Sequence, residues 1–196
     1  EPAPGYLYRF LHEVADEELF LAQSNHNRVH VRIDSDLPAV VELDFRRLRQ
    51  VLSNLLGNAA KYTRNGQIVF TVGGRINEAG TSCRLSFAVE DTGIGLGDSG
   101  AETLLEPFVR GTNIDDAPGS GLGLAIVTQL LARMGSRLEA GTGPEGRGSR
   151  FSFAIEVPLA EEHDMEPDLA VGHDTIEAEG HGRKVVVAEP DATRSA

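Results

Sequence analysis

The sequence has little of what several common classes of protein require. It contains one cysteine, Cys83, and no tryptophan among 196 residues, so an internal disulfide and a cysteine-based zinc cluster are excluded. No apolar run approaches the roughly 20 residues of a membrane-spanning helix. Basic residues are also scarce, because 18 Lys and Arg stand against 30 Asp and Glu. The formal net charge of −12 argues against a nucleic-acid-binding surface. We therefore expect a cytoplasmic protein that contacts neither nucleic acid nor membrane.

The acidic charge is concentrated near the C-terminus. Residues 1–159 hold 20 acids and 15 Lys and Arg, whereas residues 160–182 hold eight acids, three histidines and no Lys or Arg. A segment with so little to bury predicts a flexible linker over 160–183, and the spacing of its histidines fits no metal site. Residues 1–159 are long enough for one domain with a proper core. Because the chain begins at Glu1-Pro2 without Met, we expect a fragment of a longer protein.

Hydrophobic periodicity predicts helices and strands in residues 1–159. Apolar residues at helical spacing indicate an opening helix, a second over 44–62 with Asp44 as its cap, and a third from Leu124 that Gly135 closes. Alternating apolar residues indicate strands at 29–33, 68–76, 83–89 and 151–157. This order predicts an α+β fold, a two-layer sandwich with helices on one face of a mixed, mostly antiparallel sheet.

The helix over 44–62 carries a polar cluster beside its apolar face. At 100° per residue, Asn54, Asn58 and Lys61 fall within about 60° of one another. An amide oxygen is a hard, neutral ligand that suits Mg²⁺, and a lysine supplies a point charge for phosphate. The same three residues could equally be the ordinary polar flank of an amphipathic helix.

A second candidate site lies at the end of the third predicted strand. The odd-numbered residues of that strand form its apolar face, so Asp91 points inward, and Gly93 and Gly95 follow. An inward carboxylate is costly unless it is hydrogen-bonded. One partner would be the backbone near Gly93, in an Asx-type turn. The other would be a ligand amine, with the glycines letting a planar ring approach the backbone.

A third candidate is the glycine-rich stretch that opens the last helix, Gly119-Ser120-Gly121-Leu122-Gly123-Leu124. Glycines at a helix N-terminus leave several N–H groups unpaired, which is a suitable site for phosphate. Any flexible helix entry would look the same. This one, however, comes after a long polar loop containing Arg110 and after two other candidate sites, and that order favours the phosphate interpretation.

Together these motifs resemble the ATP-binding catalytic domain of sensor histidine kinases. Four boxes of that family occur in family order within residues 6–158: Asn54-x3-Asn58-Ala-x-Lys61-Tyr62-Thr63, Asp91-Thr-Gly93-Ile-Gly95, Leu105-Glu-Pro107-Phe108 and Gly119-Ser-Gly121-Leu-Gly123-Leu. The resemblance implies the Bergerat ATP-binding fold, with ATP and Mg²⁺ as cofactors and a lid between the two glycine boxes. Leu105 departs from the family pattern, which usually has an aromatic residue there.

The resemblance also implies a role for each candidate residue. Asn58 would ligate Mg²⁺ with Asn54 beside it, and Lys61 and Arg110 would contact the phosphates, so that Asn58, Lys61 and Arg110 form the catalytic set. Asp91 would accept a hydrogen bond from the adenine amine. The remaining residues of the implied ATP site are Tyr62, Gly93, Ile94, Gly95, Gly119, Ser120, Gly121, Leu122, Gly123, Leu124 and Ser149.

One position distinguishes transfer from hydrolysis. In relatives that hydrolyse ATP, such as DNA gyrase and the mismatch-repair ATPases, a Glu one turn before the Mg-ligating Asn activates water. Here that position is Asn54, and an amide is no general base at neutral pH. We therefore predict transfer of the γ-phosphoryl group to another nucleophile, which the resemblance implies is a histidine on a dimerisation domain of the same parent protein. Two alternatives stay open: a serine kinase of an anti-anti-sigma partner, and a non-catalytic nucleotide-sensing module.

Two further segments bear on the partners. Leu11-His12-Glu13-Val14 mimics the start of an acceptor-histidine motif but lacks the Arg/Lys-Thr-Pro that should come next, so we predict that His12 is not phosphorylated. The run from Lys184 to Asp191 resembles the first strand of a receiver domain, which would make residues 184–196 a truncated start of one. A response-regulator receiver domain is then expected downstream. The fragment itself is expected to be monomeric, because dimerisation would belong to the missing domain.

Overall fold

The computed structural model of the chain describes residues 1–96, 123–143, 146–164 and 184–188. Its elements, in chain order, are β1 (Ala3–Tyr6), α1 (Leu7–Ser24), β2 (Arg28–Ile33), β3 (Val40–Leu43), α2 (Phe45–Tyr62), β4 (Gln67–Ile76), β5 (Ser82–Asp91), α3 (Gly123–Arg133), β6 (Glu139–Thr142), β7 (Ser149–Pro158) and β8 (Lys184–Ala188). A short 3₁₀ turn, Glu162–Asp164, comes after β7.

Six strands form one sheet in the order β6-β7-β5-β4-β2-β8. Strands β2 and β4 run parallel, and every other pair in this sheet is antiparallel. Strands β1 and β3 form a separate antiparallel pair. Helices α1 and α2 pack on the sheet, and α3 packs on α2. The predicted α+β architecture with a mixed, mostly antiparallel sheet is confirmed.

The core lies between the helices and the sheet. All six residues predicted to form the apolar face of α2 are buried: Leu48, Val51, Leu52, Leu55, Leu56 and Ala59. Asp44 caps the helix as predicted, because its carboxylate accepts a hydrogen bond from the N–H of Arg47 at 3.0 Å. Cys83 lies in the core, where burial raises the pKa of its thiol. The single cysteine is therefore a packing residue.

Helix α3 ends where the sequence predicted. Gly135, the predicted C-cap of α3, has a φ of +70°, which is a conformation that glycine adopts without strain. The N–H of the next residue, Ser136, donates to the carbonyl of Leu131 at 2.8 Å and so satisfies one of the last carbonyls of the helix. Strand β1 was not predicted; it forms because its backbone pairs with β3.

Several predictions concern residues outside the described ranges. Arg110, Leu105 and the residues from Gly119 to Leu122 are among these, as is most of the predicted linker over 160–183. Residues 184–188 form the predicted strand, which lies antiparallel to β2 at the edge of the sheet. The division into a domain, a linker and the start of a receiver domain stays a prediction.

Candidate functional site

Asp91 lies at the end of β5 and is 4% exposed. Its Oδ1 atom accepts hydrogen bonds from the N–H of Gly93 at 2.8 Å and the N–H of Ser149 at 3.3 Å. Its Oδ2 atom accepts from the hydroxyl of Ser149. The inward direction that the strand alternation predicted is correct, and the Asx-type contact with Gly93 is present. Two carboxylate oxygens offer about four acceptor positions, so these three bonds leave room for one more donor.

The backbone around Asp91 is too closely packed for side chains at two glycines. Gly148 has a φ of +65°, and a Cβ atom there would lie 1.8 Å from the carbonyl oxygen of Asp91. A Cβ atom at Gly93 would lie 2.3 Å from the carbonyl oxygen of Tyr62. These approaches bring the end of β5, the start of β7 and the end of α2 together, so the Asp91 carboxylate is held in a fixed position.

The polar cluster of α2 faces the start of α3. The side-chain amide of Asn54 donates to the carbonyl of Gln50 at 2.7 Å, which orients the side chain along the helix. A Cβ atom at Gly123 would lie 3.1 Å from Oδ1 of Asn54 and 3.7 Å from Nδ2 of Asn58. Both asparagines are half-buried. The structure therefore brings the predicted metal ligand and its neighbour to the first residue of the helix that the second glycine box opens.

Lys61 and Tyr62 are the last two residues of α2. The ammonium group of Lys61 donates to the Tyr62 hydroxyl at 3.1 Å and lies 4.8 Å from the centre of its ring. The carbonyl of Tyr62 accepts from the N–H of Ile94 at 3.3 Å, which ties the first glycine box to the end of α2. Ile94 itself is 48% exposed. The turn after Asp91 is thus fixed to the C-terminal end of the helix that carries Asn54 and Asn58.

The remaining predicted site residues differ in their surroundings. Ser149 is buried against Asp91, whereas the side chain of Leu124 packs against the hydrophobic core. Gly95 is half-buried beside Ile94. Arg110, Gly119, Ser120, Gly121 and Leu122 lie outside the described residues, so their contribution to the site stays a prediction.

Two asparagines that the sequence reasoning missed hold the end of α2. Asn27 is completely buried; its amide donates to the carbonyl of Thr63 at 2.8 Å, and its Oδ1 accepts from the N–H of Gly66 at 3.0 Å. Asn25 donates to the carbonyl of Ala60 at 2.8 Å. Carbonyls at a helix end lack partners within the helix, so these bonds fix the turn that carries Lys61 and Tyr62. The only signal in the sequence is a pair of asparagines directly before a strand.

Asn27→Ala is expected to lower the free energy of unfolding by about 1–3 kcal/mol, because it leaves the buried carbonyl of Thr63 and the partly buried N–H of Gly66 without this partner. Urea denaturation measures this change. Asn25→Ala is the matched control, since Asn25 is half-exposed and water can replace its bond. An Asn27→Ala loss no larger than that of Asn25→Ala would contradict the role of Asn27.

The described residues contain no group of three or more His, Cys, Asp or Glu side chains that could hold a metal ion. A metal at Asn58 would therefore take most of its ligands from elsewhere. Mg²⁺ commonly binds in this way, with few protein ligands and the rest from phosphates and water. The amide oxygen of Asn58 fits that pattern as a single protein donor. None of the described helices is both long and apolar enough to cross a membrane.

The chain belongs to the family of histidine kinase-, DNA gyrase B- and HSP90-like ATPases, whose sequence model matches residues 43–161. The matched range contains α2 with its asparagines, the Asp91 turn and Ser149. The resemblance seen in the four sequence boxes is thus confirmed at the level of the family.

The curated relatives are sensor kinases much longer than this chain. The virulence sensor protein BvgS of Bordetella bronchiseptica is 38% identical over 124 residues, which cover 62% of this chain and 10% of the relative. The signal transduction histidine-protein kinase BarA of Shigella flexneri is 32% identical over 181 residues, which cover 88% of this chain and 18% of the relative. The chain therefore spans less than a fifth of the length of either relative.

Solved structures share the fold. The full-length ShkA structure in complex with AMPPNP matches with a TM-score of 0.66 and 33% identity, over 82% of this chain and 32% of that one. A nucleotide-free catalytic domain of the histidine kinase ThkA matches with a TM-score of 0.61 over 81% of this chain and 96% of that one. The ThkA match, at 24% identity, bears on the fold alone.

Proposed function

We propose that this chain binds Mg-ATP on the surface between Asp91 and α2. It then donates the γ-phosphoryl group to a histidine on a dimerisation domain of the parent protein, as a step in two-component signal transduction. The observation that carries the proposal is the buried carboxylate of Asp91, which three donors hold in place and which has room for a fourth. The turn after Asp91 is hydrogen-bonded to the end of α2, and α2 also carries the two asparagines and the lysine that would face the phosphates.

At the Asp91 end, the ligand is adenine. The open acceptor position of the carboxylate suits the exocyclic amine of adenine. The missing side chain of Gly93 leaves room for the carbonyl of Tyr62, which holds the first glycine box against the end of α2. Ser149 holds the carboxylate through both its N–H and its hydroxyl. Tyr62 forms the wall beside the base. Recognition at this end therefore depends on a fixed acceptor, whose bonds to the protein need no rearrangement when the nucleotide arrives.

At the α2 end, the ligands are the phosphates. Lys61 supplies a positive charge, and Asn58 supplies the amide oxygen that would hold Mg²⁺. When bound, the ion would neutralise the charge that develops on the phosphate oxygens. We propose that Arg110 and the residues from Gly119 to Leu122 complete this end. The start of α3 already lies beside Asn54 and Asn58, and a helix N-terminus attracts anions.

The nature of Asn54 favours transfer over hydrolysis. Its amide group is neutral and is engaged with the carbonyl of Gln50, so it cannot remove a proton from water. The chain then positions the nucleotide and stabilises charge, while the nucleophile comes from another domain.

The place of His12 in the fold supports an acceptor outside this chain. Its neighbour Glu13 pairs with Arg49 of α2 at 3.0 Å, and Arg49 precedes Asn58 by nine residues, or roughly 14 Å along the helix axis. Reacting atoms must approach to about 3–3.5 Å for transfer. Because α1 packs against α2 at the level of Arg49, this packing would have to change for His12 to reach the phosphates.

The isolated chain is expected to bind Mg-ATP without phosphorylating itself. Residues 1–196 incubated with radiolabelled ATP should stay unlabelled, and adding the parent's dimerisation domain should label a histidine of that domain. The phosphate should be labile in acid and stable in base, which marks phosphohistidine. His12→Ala is the control and should transfer as well as the unchanged chain. Stoichiometric label on His12 would refute the proposed division of labour, and tight ATP binding without any transfer would favour a nucleotide-sensing module.

We also propose that residues 160–183 link this domain to a receiver domain that begins within residues 184–196. The support is the acidic composition of the first segment and the receiver-like sequence of the second. That receiver domain, or one on a separate response regulator, would take the phosphoryl group from the histidine. The fragment alone is proposed to be a monomer.

A further inference from the structure

Some backbone N–H and C=O groups of strand β2 face away from the neighbouring strand β4 and cannot form hydrogen bonds with it. The N–H of Arg28 donates to Gly66 at 2.9 Å and the N–H of Asp34 donates to Val72 at 3.0 Å, both on the side of β4. Successive residues of a strand direct their N–H and C=O groups to alternate sides. The groups of Val29, Val31 and Ile33 therefore point away from β4, to the outer edge.

The C-terminal strand matches this edge in register. In the antiparallel pairing of β2 with β8, Val29 lies opposite Ala188, Val31 opposite Val186 and Ile33 opposite Lys184. The three residues of β2 with outward-facing backbone groups are thus opposite alternate residues of β8. In an antiparallel pair, opposed residues of this kind exchange both of their hydrogen bonds. The register satisfies the whole outer edge of β2.

We propose that the pairing of Lys184–Ala188 with the outer edge of β2 is an autonomous docking contact, which forms without a second copy of the chain. Docking extends the sheet by one strand and withholds the edge from a second copy of the chain. Unpaired strand edges are templates for association between chains, so covering this edge removes one such template. Docking relies on backbone pairing and does not depend on nucleotide binding.

The length of the connection allows the segment to dock on its own domain. Nineteen residues separate Asp164 from Lys184, and they can span about 60 Å when extended. Strands β7 and β8 are four positions apart in the sheet, a distance of about 19 Å at the usual strand spacing. A segment tethered in this way competes at an effective concentration in the millimolar range. It therefore outcompetes a second copy at the micromolar concentrations of most solution experiments.

Docking also limits the structures that residues 184–188 can join. The first strand of a flavodoxin-like doubly wound sheet, the type of sheet expected of a receiver domain, is an inner strand. An inner strand needs partners on both of its edges, and β2 occupies one edge of residues 184–188. While they are docked, these residues cannot form an inner strand of a second domain. Docking on β2 and incorporation into a receiver domain are therefore alternative states of the same segment.

Amide hydrogen exchange, measured residue by residue by NMR on the 196-residue chain, tests the docking. The amides of Val29, Val31 and Ile33 should exchange as slowly as those of His30 and Arg32, which face β4. Val186→Pro removes the donor opposite Val31 and should speed exchange at the three outward amides by at least about tenfold. Val185→Pro is the matched control, because the N–H of residue 185 faces away from β2, and it should leave the protection in place.

The same exchange measurements show whether the Val186→Pro variant still folds. Continued protection of His30 and Arg32 in Val186→Pro shows that the rest of the sheet is intact. Fast exchange of Val29, Val31 and Ile33 in the unchanged chain would overturn the proposal, as would protection that survives Val186→Pro. Protection that disappears on dilution would assign the edge to a second copy instead. Should Val186→Pro unfold the domain, the concentration series on the unchanged chain decides, since protection at every concentration supports the chain's own segment.

Discussion

Replacing Asp91 with Asn is expected to weaken ATP binding by roughly 1.5–3 kcal/mol, or about 10- to 150-fold. The variant should still fold, because the amide oxygen can accept from the N–H groups of Gly93 and Ser149, and the amide nitrogen can donate to the Ser149 hydroxyl. It loses the charged acceptor for the adenine amine and presents a donor in its place. Calorimetric titration with ATP measures the change. An unchanged affinity of the variant for ATP would show that Asp91 is not part of the binding site.

The identity of the base gives a control for this variant. Inosine triphosphate carries a carbonyl where ATP carries the exocyclic amine, so the unchanged chain should bind ATP more tightly. In Asp91→Asn the new amide can donate to that carbonyl, and the preference for ATP should shrink or reverse. If the unchanged chain and the variant discriminate between the two nucleotides equally, Asp91 does not contact the base.

Asn58→Ala is expected to lower the rate of phosphoryl transfer on the order of 100-fold or more, while adenosine binding stays essentially unchanged. The reason is that a metal held by Asn58 would act on the transferring phosphates and not on the base. Transfer is measured with the parent's dimerisation domain as acceptor, and adenosine binding is measured by calorimetry.

Helix α2 carries both the core and the candidate site, so the Asn58 result needs a structural control. Ser53 lies on the same helix, about 140° around the axis from residue 58. Ser53→Ala should therefore leave both the transfer rate and adenosine binding near their original values. Equal losses of ATP and adenosine binding in Asn58→Ala would indicate damage to the fold and would contradict a specific role at the phosphates.

Local patterns in the sequence predicted the elements that carry the site. The apolar face of α2 and its cap at Asp44 depend on residues within a few turns of each other, and both are present. The alternation along β5 also predicted that Asp91 points inward. Strand β1 shows no such signal in Ala3–Tyr6, because it is stabilised by backbone pairing with β3, about 40 residues away.

The surroundings of the site depend on contacts that no local pattern contains. Ser149 bonds to Asp91 across 58 positions of sequence, and only resemblance to the family placed the two together. Gly148 is required because the carbonyl of Asp91 arrives where a Cβ atom would be, which the spacing of glycines does not reveal. The role of Asn27 was not predicted, because asparagines are common in turns. Its burial depends on contacts with the C-terminal end of α2, which the local sequence does not contain.

The central claim is that Asp91 and the asparagines of α2 bind opposite ends of one nucleotide. NMR titration of the isotopically labelled chain tests this most directly, with adenosine and Mg-ATP compared as ligands. Adenosine is predicted to shift the backbone amides of Gly93 and Ser149, and Mg-ATP is predicted to shift these and also the side-chain amides of Asn54 and Asn58. Binding of Mg-ATP that leaves the Gly93 and Ser149 amides unmoved, or that leaves the Asn58 side chain unmoved, would contradict the account.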